Sequence, residues 1–354
     1  MNAVVNPQPS EKAIETFRHA LPRLHLLVNE RFMLETKLSP GEITPEQQDM
    51  IRDAHKYFGE LLLGIYEFQL YEDLEDECSW YISTLFKQGC QQEYVRRMIK
   101  AWIISIHSII KPPESDELVR PLEWVYKQIP SYCVLLEEQE VALSQEGKHF
   151  LGLLLNKDRR VATEYILSLF STGGIIEHIY SQVLTPALAQ IGFLRHKSAI
   201  SFSDEHAATD ICRYIILRLF DSIPKERELP YRAVVSCVPG EEHELGAEIL
   251  ANYLEIKGWK VYFVGHGAPQ KDILQAIITD KPDIIFLSVI LIAHLPAAKA
   301  LLQNIREIAG PVKVVAGGQA AVRARKILET FADAITNSIE EAHKLSLGLV
   351  NRHA

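Results

Sequence analysis

Between about Glu11 and Gln139, apolar residues recur at the helical interval, in stretches such as FGELLLGIYEFQLYEDL and QEYVRRMIKAWIISIHSII, with few strand-like alternations. Phe58, Leu61, Leu62, Ile65 and Phe68 form one stripe, and Val95, Met98, Ile99, Trp102, Ile106 and Ile109 form another; both read as core faces. The pattern breaks where breakers cluster, at SPGEITPEQQ (39–48) and IKPPESDELVRP (110–121), and tandem Pro112-Pro113 must end the helix before it. Six or more helices are expected in this stretch. Residues 145–224 predict about four further short helices, among them DRRVATEYILSLFS, IIEHIYSQVLTPALAQIG and SDEHAATDICRYIILRLF. The last of these places Ala208, Ile211, Ile215 and Leu219 on one face, and the Ser-Ile-Pro-Lys-Glu-Arg-Glu stretch after Asp221 reads as a linker.

From Tyr231 the period changes to short β-branched runs alternating with amphipathic helices: RAVVSCV, WKVYFVG, DIIFLSVI, VKVVAGG and ADAITN are the strands. Five strands separated by helices of 10 to 16 residues predict a parallel, doubly wound sheet, in which ligands bind at the carboxyl ends of the strands. The fold class is therefore α plus α/β, with a helical domain over 1–144, a four-helix bundle over 145–225 and a Rossmann- or flavodoxin-like domain over 226–354. There is no internal repeat and no low-complexity segment.

Composition narrows the function classes. The 354 residues, 47% hydrophobic and 23% charged, are enough for two or three domains, each with its own core. No apolar run approaches the roughly 18 to 20 residues needed to cross a bilayer, and the N-terminal MNAVVNPQPSEKAIETF lacks the plan of a signal peptide, so a cytoplasmic protein without membrane contact is expected. Cys78, Cys90, Cys133, Cys212 and Cys237 are scattered and form no CxxC pair, which argues against a disulfide framework or a structural zinc site. The net charge of −9 sits in the first half: residues 1–150 hold 15 Lys/Arg against 24 Asp/Glu, whereas 151–354 hold 22 of each. An acidic half without a basic recognition helix argues against direct nucleic-acid binding. Within it, the run Glu72-Asp73-Leu74-Glu75-Asp76-Glu77 reads as a solvated helix face.

The candidate chemistry lies in the last third. Directly after the first strand comes PGEEHELG, which sets Glu241, His243 and Gly246 in an E-x-H-x-x-G arrangement on the loop and first turn of the next helix. A neutral imidazole offers one nitrogen to a transition metal while the other donates to a carboxylate that fixes its orientation, the role open to Glu241. Ser288-Val289-Ile290 at the end of the third strand supplies a hydroxyl, and Gly317-Gly318 after the fourth lets backbone approach a large ligand closely. Taken singly, such a histidine is usually a polar surface residue and such a glycine pair a turn. Here 41 residues separate Gly246 from Ser288 and 26 separate Ile290 from Gly317.

With that spacing, residues 145–354 resemble a cobalamin-binding module, a helical cap followed by a Rossmann-like domain, whose series is D-x-H-x-x-G, S-x-L and G-G. Glu stands for Asp at 241 and Ile for Leu at 290. The resemblance implies that His243 is the lower axial ligand of cobalt, that Glu241 and Ser288 complete a hydrogen-bonded relay, and that the nucleotide tail enters a slot past Gly246, Gly317 and Gly318. The segment IGFLRHKSAISFSDEHAAT is similar to the one that covers the upper face of cobalamin in light-sensing repressors. Glu205 and His206 stand at the matching places of its Glu-His pair, but Arg195 falls where those proteins have a tryptophan, so a cation and hydrogen-bond donor replaces the aromatic wall.

The N-terminal stretch resembles the photoglobin domains that accompany such modules, and the whole chain resembles the photocobilins, cobalamin photoreceptors that also carry a bilin. That implies a globin-like bilin-binding domain, biliverdin and adenosylcobalamin as cofactors, and Arg96, Arg97, Trp102 and His107 as bilin contacts, although core packing explains Trp102 equally well. Cys78, Cys90 and Cys133 are the candidate thioether attachment points, with no local signature for one. The expected function is a light sensor without enzymatic turnover, whose signal leaves through a change of oligomeric state, a homodimer being expected, or through a separate signalling partner. A corrinoid methyl carrier of a methyltransferase system is the competing use of the same module.

Overall fold

Residues 8–37, 45–87, 89–132, 141–197, 199–310 and 312–351 are described in the computed structural model, and contacts divide the chain into two units, Met1–Glu138 and Gln139–Ala354. The first unit is helical: α1 (Glu11–Lys37), α2 (Pro45–Phe68), α3 (Leu74–Lys87), α4 (Gln92–Ile109) and α5 (Glu114–Tyr132). These five helices among the described residues are fewer than the six or more that the breakers predict, because prolines lie inside helices: Pro22 in α1, Pro121 and Pro130 in α5. An internal proline costs roughly 3 kcal/mol. Against it α5 buries Leu118, Val119, Leu122, Val125 and Ile129, at about 1.5–3 kcal/mol for each large side chain, so the packed face carries the helix through.

Both predicted stripes of this unit lie in its core, with only Ile109 half-buried. At the centre Trp102 meets Phe17, His25 and Phe58 with ring centroids 6.4, 5.7 and 6.3 Å away. Burial lowers the pKa of His25 to about 4 and of His55 to about 3, so both are neutral core residues. The α2 backbone reaches this cluster through Gly59: a Cβ there would stand 2.5 Å from His25 Nε2 and from Trp102 Cη2.

In the second unit α6 (Gln145–Leu155) and α7 (Arg159–Ser171) come first. A long helix follows, formed by α8 (Ile176–His178), a π-helical stretch (Ile179–Leu184) and α9 (Thr185–His196), and then α10 (Phe202–Ser222). Their starts are written in the sequence. Ser144 accepts from the Gly147 N–H, Asp158 from the Val161 N–H, and Ser201 with Asp204 closes a capping box. Alternating strands and helices complete the chain: β1 (Arg232–Cys237), α11 (Leu245–Ile256), β2 (Lys260–Gly265), α12 (Gln270–Asp280), β3 (Ile284–Ser288), a single 3-10 turn, α13 (Leu295–Ala309), β4 (Lys313–Gly317), α14 (Gln319–Arg323), α15 (Arg325–Leu328), β5 (Ala334–Thr336) and α16 (Ile339–Val350).

The five strands are all parallel, in the order β2-β1-β3-β4-β5. The direction of winding reverses beside β1, which opens a crevice at the carboxyl ends of β1 and β3. Pairing there sets Cys237, Ser288, Gly317 and Thr336 in one row across the sheet edge. One face of β1, β3 and β4 (Val235, Phe286, Val315) packs against Ala247 and Ala251 of α11 and Ala342 of α16. The other side of α11 joins the helical cap, where Ile249 and Tyr253 share a core with Ala208, Ile211, Ile215 and Leu219. No described helix is long and apolar enough to cross a membrane.

The Gly59 contact yields a sign that propensity alone would get wrong. Gly59→Ala should gain about 1 kcal/mol as a helix former and lose about 1–3 kcal/mol by overpacking against the fully buried Trp102, for a net destabilisation. Chemical denaturation of the full chain followed by tryptophan fluorescence checks it; a more stable variant would show that the Trp102 cluster yields.

Candidate functional site

Residues 238–244 carry the chain from β1 into α11 over the crevice, and Glu241 sits in this loop with no exposed surface. A buried carboxylate needs donors, and this one has them from two directions. Oε1 accepts from the His243 backbone N–H at 3.1 Å and pairs with His243 Nδ1 at 2.5 Å. Oε2 accepts from the N–H groups of Ile290 and Leu291 at 2.9 and 3.1 Å and pairs with His294 Nδ1 at 3.0 Å. Burial alone would push the Glu241 carboxyl up, but the bonds from His243 and His294, the His243 charge and the Ile290 N–H hold it well below the carboxylate range.

When the His243 imidazole is neutral, an ionised Glu241 fixes its proton on Nδ1 and leaves the Nε2 lone pair free, the tautomer a metal requires. The side chain is 58% exposed, so Nε2 is reachable. Its pKa is raised first by the Glu241 bond, against its partial burial, and then by the charges of Glu241, Glu205 and Glu242. Glu205 belongs to α10, so the cap brings a charge towards the imidazole.

Behind the loop a cavity of about 260 Å³ runs between the sheet and helices α11 and α16. Gly246, Ser288, Ile290, Gly317 and Gly318 line it, together with Ile249 and with Thr185 from the cap. A Cβ on Gly246 would meet nothing within 4 Å, whereas at Gly318 the backbone has φ +96° and a Cβ would stand 2.2 Å from the Val289 carbonyl oxygen. The first glycine leaves space open and the second permits the turn.

The expected relay needs a correction. Ser288 lines the cavity, and the carboxylate reaches past it to two backbone N–H groups and to His294. His294 carried no sequence signal, being a single histidine after a strand end. Glu244 was also missed: it is buried, pairs with Arg213 of α10 at 2.7 Å and bonds His266, and these partners hold its carboxyl low against burial. No cluster of three or more metal-ligating side chains occurs among the described residues.

At the other side of the crevice Arg195 of α9 and Glu205 of α10 pair at 3.5 Å, and the ring of His206 lies 4.1 Å from that of Phe202. Phe202 is exposed, as is His206. In the helical unit the four residues expected to meet a bilin lie in separate surroundings. Trp102 is in the core, Arg96 stacks over Tyr126, Arg97 pairs with Glu93, and His107 is exposed beside Asp116 at 3.8 Å. Cys78 is fully buried and its thiol is pushed strongly up by burial, Cys90 is pushed up to about 11, and Cys133 lies outside the described residues. Such thiols are poor nucleophiles.

A cap packed on a parallel sheet, with an imidazole–carboxylate pair and a glycine-lined slot at the switch point, defines a capped α/β module with a slot where such sheets take ligands. Residues 231–344 match the family model of the B12 binding domain. The chain is similar to the HTH-type transcriptional repressor CarA of Myxococcus xanthus, 26% identical over 45% of this chain and 53% of the repressor. It thus spans about half of that relative's length. It is also similar to the dimethylamine corrinoid protein 3 of Methanosarcina acetivorans, 23% identical over 48% of this chain and 83% of that one. Among solved structures, the monomethylamine corrinoid protein of Methanosarcina barkeri shares the fold, with a TM-score of 0.50 and 16% identity over 58% of this chain and 98% of that chain. These relatives bear the names of regulators and corrinoid proteins, not of enzymes.

The Glu241 bonds make a testable contribution to stability. Because its native pKa lies below the ordinary 4.5, the contribution is complete above about pH 4.5 and is lost as pH falls towards the native value. His243, raised above 6.5, adds an opposite and smaller part, present below 6.5 and lost as pH rises through its native value. Glu241→Gln should cost about 3 kcal/mol at pH 7, with the gap closing in acid; denaturation midpoints of both chains at pH 7 and in acid measure it, and a gap that does not depend on pH would contradict the ionised assignment.

Proposed function

We propose that the second unit binds cobalamin, that His243 is the lower axial ligand of cobalt, and that the chain serves as a light sensor. The observation that carries the binding is the coupling of a free His243 Nε2, held by the buried Glu241, to a slot opening at the same strand ends. The donor set fits the group: imidazole nitrogen suits a late first-row metal, and apolar walls with Gly246, Gly317 and Gly318 suit a flat aromatic base. When bound, cobalamin supplies a cobalt–carbon bond that visible light breaks. The chain's own residues do the rest. Glu241 orients His243, the slot takes the displaced nucleotide tail, and Arg195, Glu205 and His206 face the upper side from the cap.

The sensor reading draws on the segment from Arg195 to His206, which resembles that of light-sensing repressors, and on the separate helical unit of Met1–Glu138. Arg195 pairs with Glu205 where those proteins place an aromatic wall, so the upper ligand meets an ion pair. The cap is the responding element, and self-association or a separate partner is the output. The competing reading, a corrinoid methyl carrier, has support from the fold, since 58% of this chain matches 98% of a corrinoid protein chain. A bilin in a globin-like first unit is implied by the resemblance to photocobilins, but Arg96, Arg97, Trp102 and His107 do not share one surrounding, and the proposal stops at cobalamin.

Protein made in the dark with adenosylcobalamin should show a cobalamin spectrum that converts under green light, with a change of mass in light scattering. Stable binding without photoconversion, and methylation of the bound corrinoid by a methyltransferase, would replace the sensor by the carrier. His243→Ala should weaken cobalamin retention at least about tenfold; an unchanged spectrum and affinity would remove the ligand assignment. Gly246→Leu should fill the slot and abolish retention with stability unchanged within about 0.5 kcal/mol, and full retention would show that the slot is not used.

A further inference from the structure

Glu241 is one methylene longer than the aspartate of the series that this chain resembles, and the structure shows where the extra length takes the carboxylate. It accepts from the His243 N–H, His243 Nδ1, the Ile290 and Leu291 N–H groups and His294 Nδ1. Five donors exceed the roughly four lone-pair sites of a carboxylate, so none is left for the Ser288 hydroxyl. His294 is itself fixed. Its backbone N–H donates to the Leu291 carbonyl at 3.0 Å, its ring lies 3.5 Å from where a Cβ on Gly240 would stand, and its side chain is 14% exposed.

We propose that His294 is a positioning residue that takes the place of the strand-end serine in the relay. It pins Oε2 of Glu241 to the turn between β3 and α13, so that Oε1 stays on His243 Nδ1 and Nε2 stays free. The inference rests on the reading of His243 as the cobalt ligand and deepens it: the chain of contacts runs His243–Glu241–His294, with Ser288 released to line the slot.

The full chain, labelled with ¹⁵N-histidine and free of cobalamin, tests this by two-bond ¹H–¹⁵N correlations, which report the tautomer of each imidazole. At a pH above its native pKa, where the ring is neutral, native His243 should appear as a single Nδ1–H form. His294→Ala should mix its tautomers and weaken cobalamin affinity about 10- to 100-fold, and Ser288→Ala should leave the tautomer as in the native chain. A single Nδ1–H form with native affinity in His294→Ala, or mixed tautomers in Ser288→Ala alone, would overturn the proposal. If His294→Ala does not fold, His294→Asn and His294→Gln decide: the Asn amide stands where Nδ1 does and should keep the tautomer, the Gln amide lies beyond it and should not, and equal behaviour of the two would overturn the proposal. His243→Ala measured alongside separates the two ideas, because native cobalamin retention there defeats the ligand reading while the tautomer result in the cobalamin-free chain still decides the role of His294.

Discussion

One carboxylate with no exposed surface organises the functional edge of the sheet. An ionised group removed from water costs several kcal/mol unless donors replace its hydration, and Glu241 finds them on two segments far apart in sequence, its own loop and the turn after β3. Meeting that requirement draws both segments over the end of the sheet and leaves His243 one choice of proton position. The imidazole is more than half exposed and on its own would turn freely; its orientation is borrowed from a group that solvent does not reach.

The slot depends on the same edge. Cys237, Ser288, Gly317 and Thr336 end their strands in register, and the chain leaves β4 through Gly318 in a conformation that suits glycine, 2.2 Å from the Val289 carbonyl as a Cβ would stand. α11 closes the cavity on one side and meets the cap on the other. Ile249 belongs to both: it lines the slot and packs in the cap core. Thr185 reaches the slot from α9. What occupies the slot is therefore in mechanical contact with the cap through α11.

Periodicity made most of this legible. The stripes of α2, α4 and α10 and the strand–helix alternation after Tyr231 depend on regular burial, which leaves a regular trace, and the glycines and Glu241-x-His243 depend on backbone and metal chemistry that only a few residue types satisfy. The helix count was not legible, since Pro121 reads as a breaker until the buried face of α5 is weighed against it. Nor was His294: a lone histidine has no period, and its meaning comes from a carboxylate 53 positions earlier whose extra methylene carries it past Ser288. Arg96, Arg97, Trp102 and His107 share one helix, yet Trp102 lies in the core while Arg96, Arg97 and His107 meet Tyr126, Glu93 and Asp116, and proximity in sequence does not by itself make one site.

The two walls of the site are held unequally. At the sheet edge every bond of Glu241 is made, whereas along the seam between the cap and α11 the Nε of Arg213, Oε2 of Glu248, Nδ2 of Asn252 and the Tyr180 hydroxyl are buried without a protein partner. Burial pushes the Glu248 carboxyl up, against the Arg213 charge. Each unpaired buried group costs about 1–3 kcal/mol, against about 1.5–3 kcal/mol for each large apolar side chain such as Ile249 that the seam buries. The crevice thus lies between a sheet edge whose buried carboxylate is fully bonded and a cap that brings the Arg195–Glu205 pair, with the Glu205 charge acting on His243.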